Sequence, residues 1–471
     1  MSEIRLYNTF SNKIEVFEPI EAGKVGIYSC GPTVYSHPHI GNYRAFLMGD
    51  LLKRFFEFEG FKVTHVMNIT DVGHLLDDAD EGADKLEEEA RKQKKDPLEI
   101  AKIYIDSFMK SNDLLNVKPA DHYPAATEHI PEMIAMVETL IEKGYAYVVG
   151  NNVYYDVTKF ADYGKLSGNT LDELNDGARI EVNKEKRNAQ DFALWKSDPK
   201  HLQQWDSPWG KGFPGWHIEC SAMSSKYLGS QFDIHTGGED NIFPHHECEI
   251  AQSEGASGKK FVHYWMHARF LLFDGEKMSK SKGNLYTIGE LIEKGFSKNA
   301  IRYALISSHY RQNYNFTFDG LAAAQQAIDK IQQCIFALEN KITGSGGAGE
   351  NVIKLSESAL ADFGAALRDD LNISKALASV FDFVREVNKL EKVQQADFDT
   401  VANTFDRMDS VLGVLEKKDT EIPAEIIEKA EKRKQAKANK DWAGADGLRD
   451  EITAAGFLVE DTPDGYRIKR K

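Results

Sequence analysis

Residues 24–42, KVGIYSCGPTVYSHPHIGN, decide how the chain begins to fold. The first seven are short and apolar enough for a buried strand, and they run into a loop with two prolines and two histidines. From Tyr43 the apolar residues change period: Tyr43, Leu47, Leu51 and Phe55, with Met48, Leu52 and Phe56 beside them, keep helical spacing until Gly60 stops the run. FKVTHVMNIT (61–70) then reads as a second strand. A strand, a loop feeding a helix and a further strand make a βαβ unit, whose right-handed crossover implies a parallel sheet.

Working outward, Leu75 to Leu115 reads as a charged, solvated helix pair, and residues 121–210 as an insertion with short strands, rich in aromatic and turn residues. Apolar β-like character returns at FDIH (232–235) and HYWMHARFLLF (263–273). From Ala300 to Leu415 the pattern is helical, broken by the flexible GSGGAGE (344–350), and Leu377, Val380, Phe381, Val384 and Val387 indicate a packed bundle. Residues 416–423 read as a linker. Two helices and a hairpin, FLVEDT and YRIKR around Pro463-Asp464-Gly465, follow it.

The 471 residues carry 58 Lys+Arg against 74 Asp+Glu, a net charge of −16, with 42% hydrophobic and 28% charged residues, as in ordinary globular chains. No basic-then-apolar leader opens the sequence and no run approaches the roughly 18 apolar residues of a spanning helix. A cytoplasmic protein with no membrane partner is therefore expected. Four cysteines, Cys30, Cys220, Cys248 and Cys334, are too few for a disulfide framework and read as core thiols, metal ligands or nucleophiles. The acidic total argues against a nucleic-acid partner only at first sight. Residues 418–471 hold 12 Lys+Arg and 12 Asp+Glu, so the whole excess lies before them, and 429–440 contain six bases and one acid.

There is no phosphate-binding G-x-x-x-x-G-K-[ST] and no H-E-x-x-H. Gly210, Gly212 and Gly215 match G-x-G-x-x-G but follow a Trp/Pro-rich loop rather than a strand. Three other clusters carry chemistry. His37-Pro38-His39-Ile40-Gly41-Asn42 sits where a strand passes into a helix, and amides there favour phosphate; the plainer alternative is a capping loop with two surface histidines. Lys277-Met278-Ser279-Lys280-Ser281 makes a cationic loop suited to a polyphosphate, or merely a solvated one. Cys30, Cys220, His245 and Glu249 are the ligand types zinc accepts, with the last two spaced for one helix face. His246 and Cys248 compete for the ligand role, and Cys30 and Cys220 read equally as small core residues.

These clusters in this order resemble the class I aminoacyl-tRNA synthetases. CGPTVY (30–35), NITDVGH (68–74), GWHIECSAM (215–223), DIHTGGEDNIFPHHE (233–247), KMSKSKGN (277–284), DDLN (369–372) and KDWAGADGLRDEI (440–452) are similar to the cysteinyl-tRNA synthetases within that class. The resemblance implies an α/β protein. A Rossmann-like parallel-sheet catalytic domain (1–121 and 211–250) would carry an inserted subdomain (122–210). A KMSKS-bearing connecting region (251–325), an α-helical bundle (326–415) and a small mixed α+β anticodon-binding domain (418–471) would follow. It implies an ATP-dependent ligase that forms cysteinyl-adenylate and charges tRNA(Cys), as a monomer, with one Zn²⁺ per chain and Mg²⁺ accompanying ATP.

By the same resemblance His39, Asn42, Lys277 and Lys280 would be catalytic. His37, His39, Gly41, Asn42, Asp240 and Lys280 would bind ATP, and Gly31, Thr70, Trp216 and His235 would surround L-cysteine. Zinc would rest on Cys30, Cys220, His245 and Glu249. The chain departs from the family pattern at Asn42, where the motif has His, and at Cys248, where Asn is usual. Two other readings are a cysteine-activating ligase that acts on an amino sugar, as in the mycothiol pathway, and a non-catalytic RNA-binding metalloprotein. In 418–471, the basic helix with Trp442 and Tyr466 is the feature that favours tRNA, with bases holding phosphates and rings stacking on bases.

Overall fold

Strand β1 (Lys24–Ser29) is buried at Val25, Ile27, Tyr28 and Ser29, the apolar run expected of a strand covered on both faces. The chain crosses into helix α1 (Ile40–Phe58) and returns as β2 (Lys62–Met67), which pairs with β1 in parallel from Lys24↔Lys62 to Ser29↔Met67. Later in the chain, helix α2 (Trp216–Leu228) leads to β3 (Phe232–Gly238), and helix α3 (Glu247–Ser257) leads to β4 (Val262–Ala268). The four strands form one parallel sheet in the order β4-β3-β1-β2. The structure is a computed structural model and describes residues 3–73, 84–170, 185–279, 282–415, 423–462 and 465–470.

A polar seam crosses this apolar sheet. Ser29 Oγ is 2.9 Å from His65 Nε2 on β2 and accepts from Thr236 Oγ1 on β3 at 2.8 Å. Helix α1 lies directly over the seam because Gly49 has no side chain: a Cβ there would stand 2.6 Å from Ser29 Oγ. Two sheets run across the expected domain boundaries. β4, which falls within the β-like stretch expected near 263–273, lies in the region read as connecting and pairs with β3. The insertion's antiparallel sheet, built from Ala146–Val149, Asn152–Tyr155, Phe192–Lys196 and Phe213–Pro214, reaches past residue 210 and packs around its own core of Val137, Leu140, Tyr155, Leu194 and Trp195.

After β4 come β5 (Leu271–Phe273), β6 (Glu276–Lys277), helix α4 (Lys298–Ile306) and β7 (Tyr314–Phe316), with β5 between β6 and β7. Four long helices follow, Phe318–Glu339, Glu350–Arg368, Ile373–Asn388 and Gln395–Leu412. Val380, Val384 and Val387 are buried among them, Phe381 packs against them, and Cys334 is a core thiol that burial pushes up to about 11. The chain divides into two compact units, 1–415 and 416–471. The second has helices Ala424–Ala438 and Trp442–Ala454, then antiparallel strands Phe457–Thr462 and Gly465–Arg470 over a core of Ile426, Ala430, Ile452, Phe457 and Val459. Pro463 and Asp464 of the expected turn lie outside the described residues, as does most of the linker. Among the described residues no helix is long and apolar enough to cross a membrane.

Candidate active site

The carboxyl ends of β1 and β3 open onto a cleft of about 380 Å³, where ligands of parallel α/β sheets usually bind. Cys30, Gly31, His37, His39, Gly41, Asn42, Thr70, Trp216, Cys220, Asp240, His245 and Lys277 all line it. Of the expected site residues, His235 and Glu249 lie fully buried beneath it, and Lys280 lies outside the described residues.

At the amino end of α1 the backbone and two motif residues cap one another. His39 Nδ1 accepts from Gly41 N at 3.1 Å while Asn42 Oδ1 accepts from His39 N at 3.0 Å. The accepting Nδ1 puts the ring proton on Nε2, and Asn42 keeps its Nδ2 hydrogens for another acceptor. The capping alternative and the anion alternative are therefore compatible. His37 is held outside this turn by the helix Pro97–Leu114: its Nδ1 is 2.7 Å from Ser107 Oγ and its ring meets Tyr104 edge-on. The lysine loop comes close, since a Cβ on Gly41 would lie 2.5 Å from Met278 Cε. Across the cleft, burial pushes the Asp240 carboxyl up, Glu239 adds to this, and Lys277 opposes it.

On the opposite wall, ligand atoms of Cys30, Cys220, His245 and Glu249 all lie within 4.8 Å of one another. His245 belongs to an irregular turn just before α3 rather than to the helix itself, but its Nε2 still reaches Glu249 Oε1 at 3.2 Å. The cluster has a second set, Cys30, His235, His246 and Glu249, sharing two members with the first. His246 Nε2 is 3.1 Å from Cys30 Sγ and His235 Nε2 is 2.9 Å from Glu249 Oε2. Cys248 turns away, with its Sγ 3.6 Å from the Tyr163 hydroxyl in the core of the insertion.

The electrostatics of this wall suit a cation. Its hydrogen bond with Cys30 raises the Cys220 thiol well above the usual range, and burial and the Glu249 charge add to that. Cys30 is raised on balance, because burial and the charges of Glu249 and Asp240 outweigh its bond with Cys220. Two thiols and a carboxyl thus share one buried space, and a divalent cation held there would favour the ionised form of both thiols. The residues present fit zinc in number and type. Three further groups escape sequence reasoning: His217, whose Nδ1 is 2.8 Å from His245 Nδ1; Glu219, which accepts from Thr70 Oγ1 at 2.9 Å; and His267, 2.7 Å from His246 Nδ1. The available signal was WHIEC, where polar residues alternate with apolar ones on a helix that is buried all round.

Within the second unit the basic helix is more neutralised than its composition indicates. Lys429 pairs with Glu425 and Glu451, Lys432 with Glu428 and Lys434 with Glu431, while Arg433 is buried. The Tyr466 hydroxyl donates to Glu431 at 2.9 Å. Trp442, by contrast, is 60% exposed.

Residues 16–326 match the family model described as tRNA synthetases class I (C) catalytic domain, and residues 362–416 match the DALR domain. A Cysteine--tRNA ligase of Caldicellulosiruptor saccharolyticus is 44% identical over 474 residues, covering 99% of this chain and 100% of that protein. The chain belongs to the cysteine--tRNA ligase family. A second cysteine--tRNA ligase, from Chlorobaculum tepidum, is 43% identical with full coverage of both chains. The Mycobacterium tuberculosis methionyl-tRNA synthetase solved with methionyl-adenylate superposes with a TM-score of 0.60 at 14% identity, covering 82% of this chain and 90% of that one, so the two share the fold. A Campylobacter jejuni arginyl-tRNA synthetase structure gives a TM-score of 0.56 at 13% identity over 85% of this chain and 94% of that one.

Proposed function

We propose that the chain activates L-cysteine with ATP, giving cysteinyl-adenylate and pyrophosphate, and then transfers cysteine to the terminal ribose of tRNA(Cys). The observation that carries this is one cleft holding a capped helix amino end, Lys277 and Asp240 opposite the Cys30, Cys220, His245, Glu249 cluster. ATP, with Mg²⁺, lies with its phosphates at α1, where His39 Nε2 and Asn42 Nδ2 donate to phosphate oxygens in the positive field of the helix amino end. Lys277 and Lys280 neutralise the charge that grows on the α-phosphate and the leaving pyrophosphate. Gly41 lets phosphate and loop approach, and Asp240 accepts from the ribose hydroxyls.

Cysteine lies against Gly31, Thr70 and Trp216, its carboxylate turned toward the α-phosphate, while His235, buried beneath the cleft, acts through Glu249 and not by touching the substrate. Thr70 is fixed by Glu219 and by Asn68, and Trp216 packs over His245 with ring centroids 4.5 Å apart. Serine differs from cysteine by one atom, and an apolar pocket separates such pairs by only about 1–3 kcal/mol. A 10⁴-fold rejection requires about 5.5 kcal/mol. Cys30, Cys220, His245 and Glu249 would hold zinc, which would supply a soft Lewis acid that favours a thiolate over a hydroxyl. A monomer in the cytoplasm, with the 418–471 domain holding the tRNA anticodon, completes the reading.

The test is cysteine-dependent exchange of pyrophosphate into ATP, followed by charging of tRNA(Cys). Both are expected. Exchange without charging would favour an amino-sugar acceptor, and absence of exchange from folded, zinc-loaded protein would overturn the proposal.

A further inference from the structure

The stretch Asp369-Asp370-Leu371-Asn372 belongs to the family resemblance but has no part in the chemistry above. It reverses the chain between helices Glu350–Arg368 and Ile373–Asn388, and Asn372 caps the second of them. Asp370 and Leu371 both take left-handed backbone, with φ of 57° and 50°, a conformation that non-glycine residues keep only where the surroundings enforce it. The Asp370 side chain is buried and saturated. Oδ1 accepts from Tyr310 Oη at 2.5 Å and Tyr7 N at 2.9 Å, and Oδ2 accepts from Arg311 Nε at 2.7 Å. Tyr310 and Arg311 belong to the turn that follows α4.

The other side of that turn faces α1. Arg44, in the first turns of α1, donates to the carbonyls of Leu305 and Ser308 through Nη1, at 2.7 and 3.0 Å, and of His309 and Gln312 through Nη2, at 2.7 and 3.3 Å. Arg44 is 5% exposed, and its guanidinium is bound by carbonyl oxygens. The same turn runs into β7, which pairs with β5, which pairs in turn with β6 at Lys277. Beyond the lysine loop, Ile40 N donates to Tyr286 O at 2.9 Å. Both ends of the loop are therefore referred to the start of α1, one directly and one through the turn that Asp370 pins.

We propose that Asp370 is a positioning residue for adenylate formation: by fixing the 305–312 turn between the helical bundle and Arg44, it holds the lysine strand in register with the phosphate-binding end of α1. This rests on the adenylation reading above. A carboxylate with several charged or hydroxyl donors resists displacement, and misplacement of a phosphate-neutralising lysine by an ångström costs rate without touching the amino-acid wall.

The test compares Asp370→Asn and Tyr310→Phe with the parent full-length protein in cysteine-dependent pyrophosphate exchange, normalised by active-site titration, alongside zinc content and thermal transition. Asp370→Asn is expected to lower kcat/KM for ATP by about tenfold or more, and Tyr310→Phe by less, with the KM for cysteine and the bound zinc unchanged. Should Asp370→Asn fail to fold, Tyr310→Phe, which removes one hydroxyl, decides. Variants that keep the parent kcat/KM for ATP within about twofold, or that also raise the KM for cysteine or lose zinc, overturn the proposal. A parent without exchange activity would instead refute the adenylation reading.

Discussion

The imidazole Nε2 of His235 stands 2.9 Å from Glu249 Oε2, with both side chains fully buried. Glu249 Oε1 faces His245, so the carboxylate is held from one side and offered to the ligand cluster from the other. Partners that orient a ligand in this way matter for affinity almost as much as the ligand. His235→Ala is expected to weaken zinc binding by about 10–100-fold, measured by competition with a chelator, with the fold retained by circular dichroism.

At the other wall, Gly41→Ala should act on ATP and not on cysteine. The added Cβ would stand 2.5 Å from Met278 Cε and 2.9 Å from His39 Nδ1. The methionine tip can move, but the capping imidazole cannot do so without releasing Gly41 N. Loss of such a cap costs about 1 kcal/mol of stability, a modest shift in the thermal transition. The KM for ATP in the exchange assay should rise about tenfold, and the KM for cysteine should hold.

His65 gives a signature in stability against pH. Burial first, and then the charge of Lys53, push its ring down to about 4. An unfolded histidine titrates near 6.5, so between these values the unfolded chain binds more protons than the folded one. The contribution is complete above about pH 6.5 and is lost as pH falls toward 4, by at most about 1.4 kcal/mol per unit. In His65→Gln, urea midpoints should fall less than in the parent between about pH 7 and pH 5.

For the second unit, Trp442→Ala should raise the KM for tRNA about tenfold, within the roughly 1–3 kcal/mol that one base stacked on an aromatic ring contributes. Pyrophosphate exchange should be unchanged. Equal charging by the variant would remove Trp442 from the tRNA surface.

Much of this is legible in the sequence. The period change at Tyr43 located α1, because a buried strand and an amphipathic helix leave different spacings that few other structures imitate. The β-like character of 263–273 matches β4, but the sequence carries no sign of its pairing with β3 or of the burial of His267 against His246 and Thr9. Ligand types were legible, but the choice between His245 and His246 was not, since the irregular turn before α3 sets where the helix phase begins. For the same reason Cys248 could not be separated from the cluster by spacing. Charge on 429–440 overstated the exposed basicity because opposing carboxylates one helical turn away are invisible in a residue count.

The two attachments of the lysine segment to the start of α1 make it a closed ring instead of a free tether. For a ring, length is a weak variable: each doubling adds only about 0.6 kcal/mol of closure entropy. The attachments are the strong variable, because cutting either one lets the effective concentration of lysine at the phosphates fall to that of a one-ended linker. Natural variation in such a segment is thus expected in its residue count, and invariance in the Tyr286 and 305–312 contacts that close it.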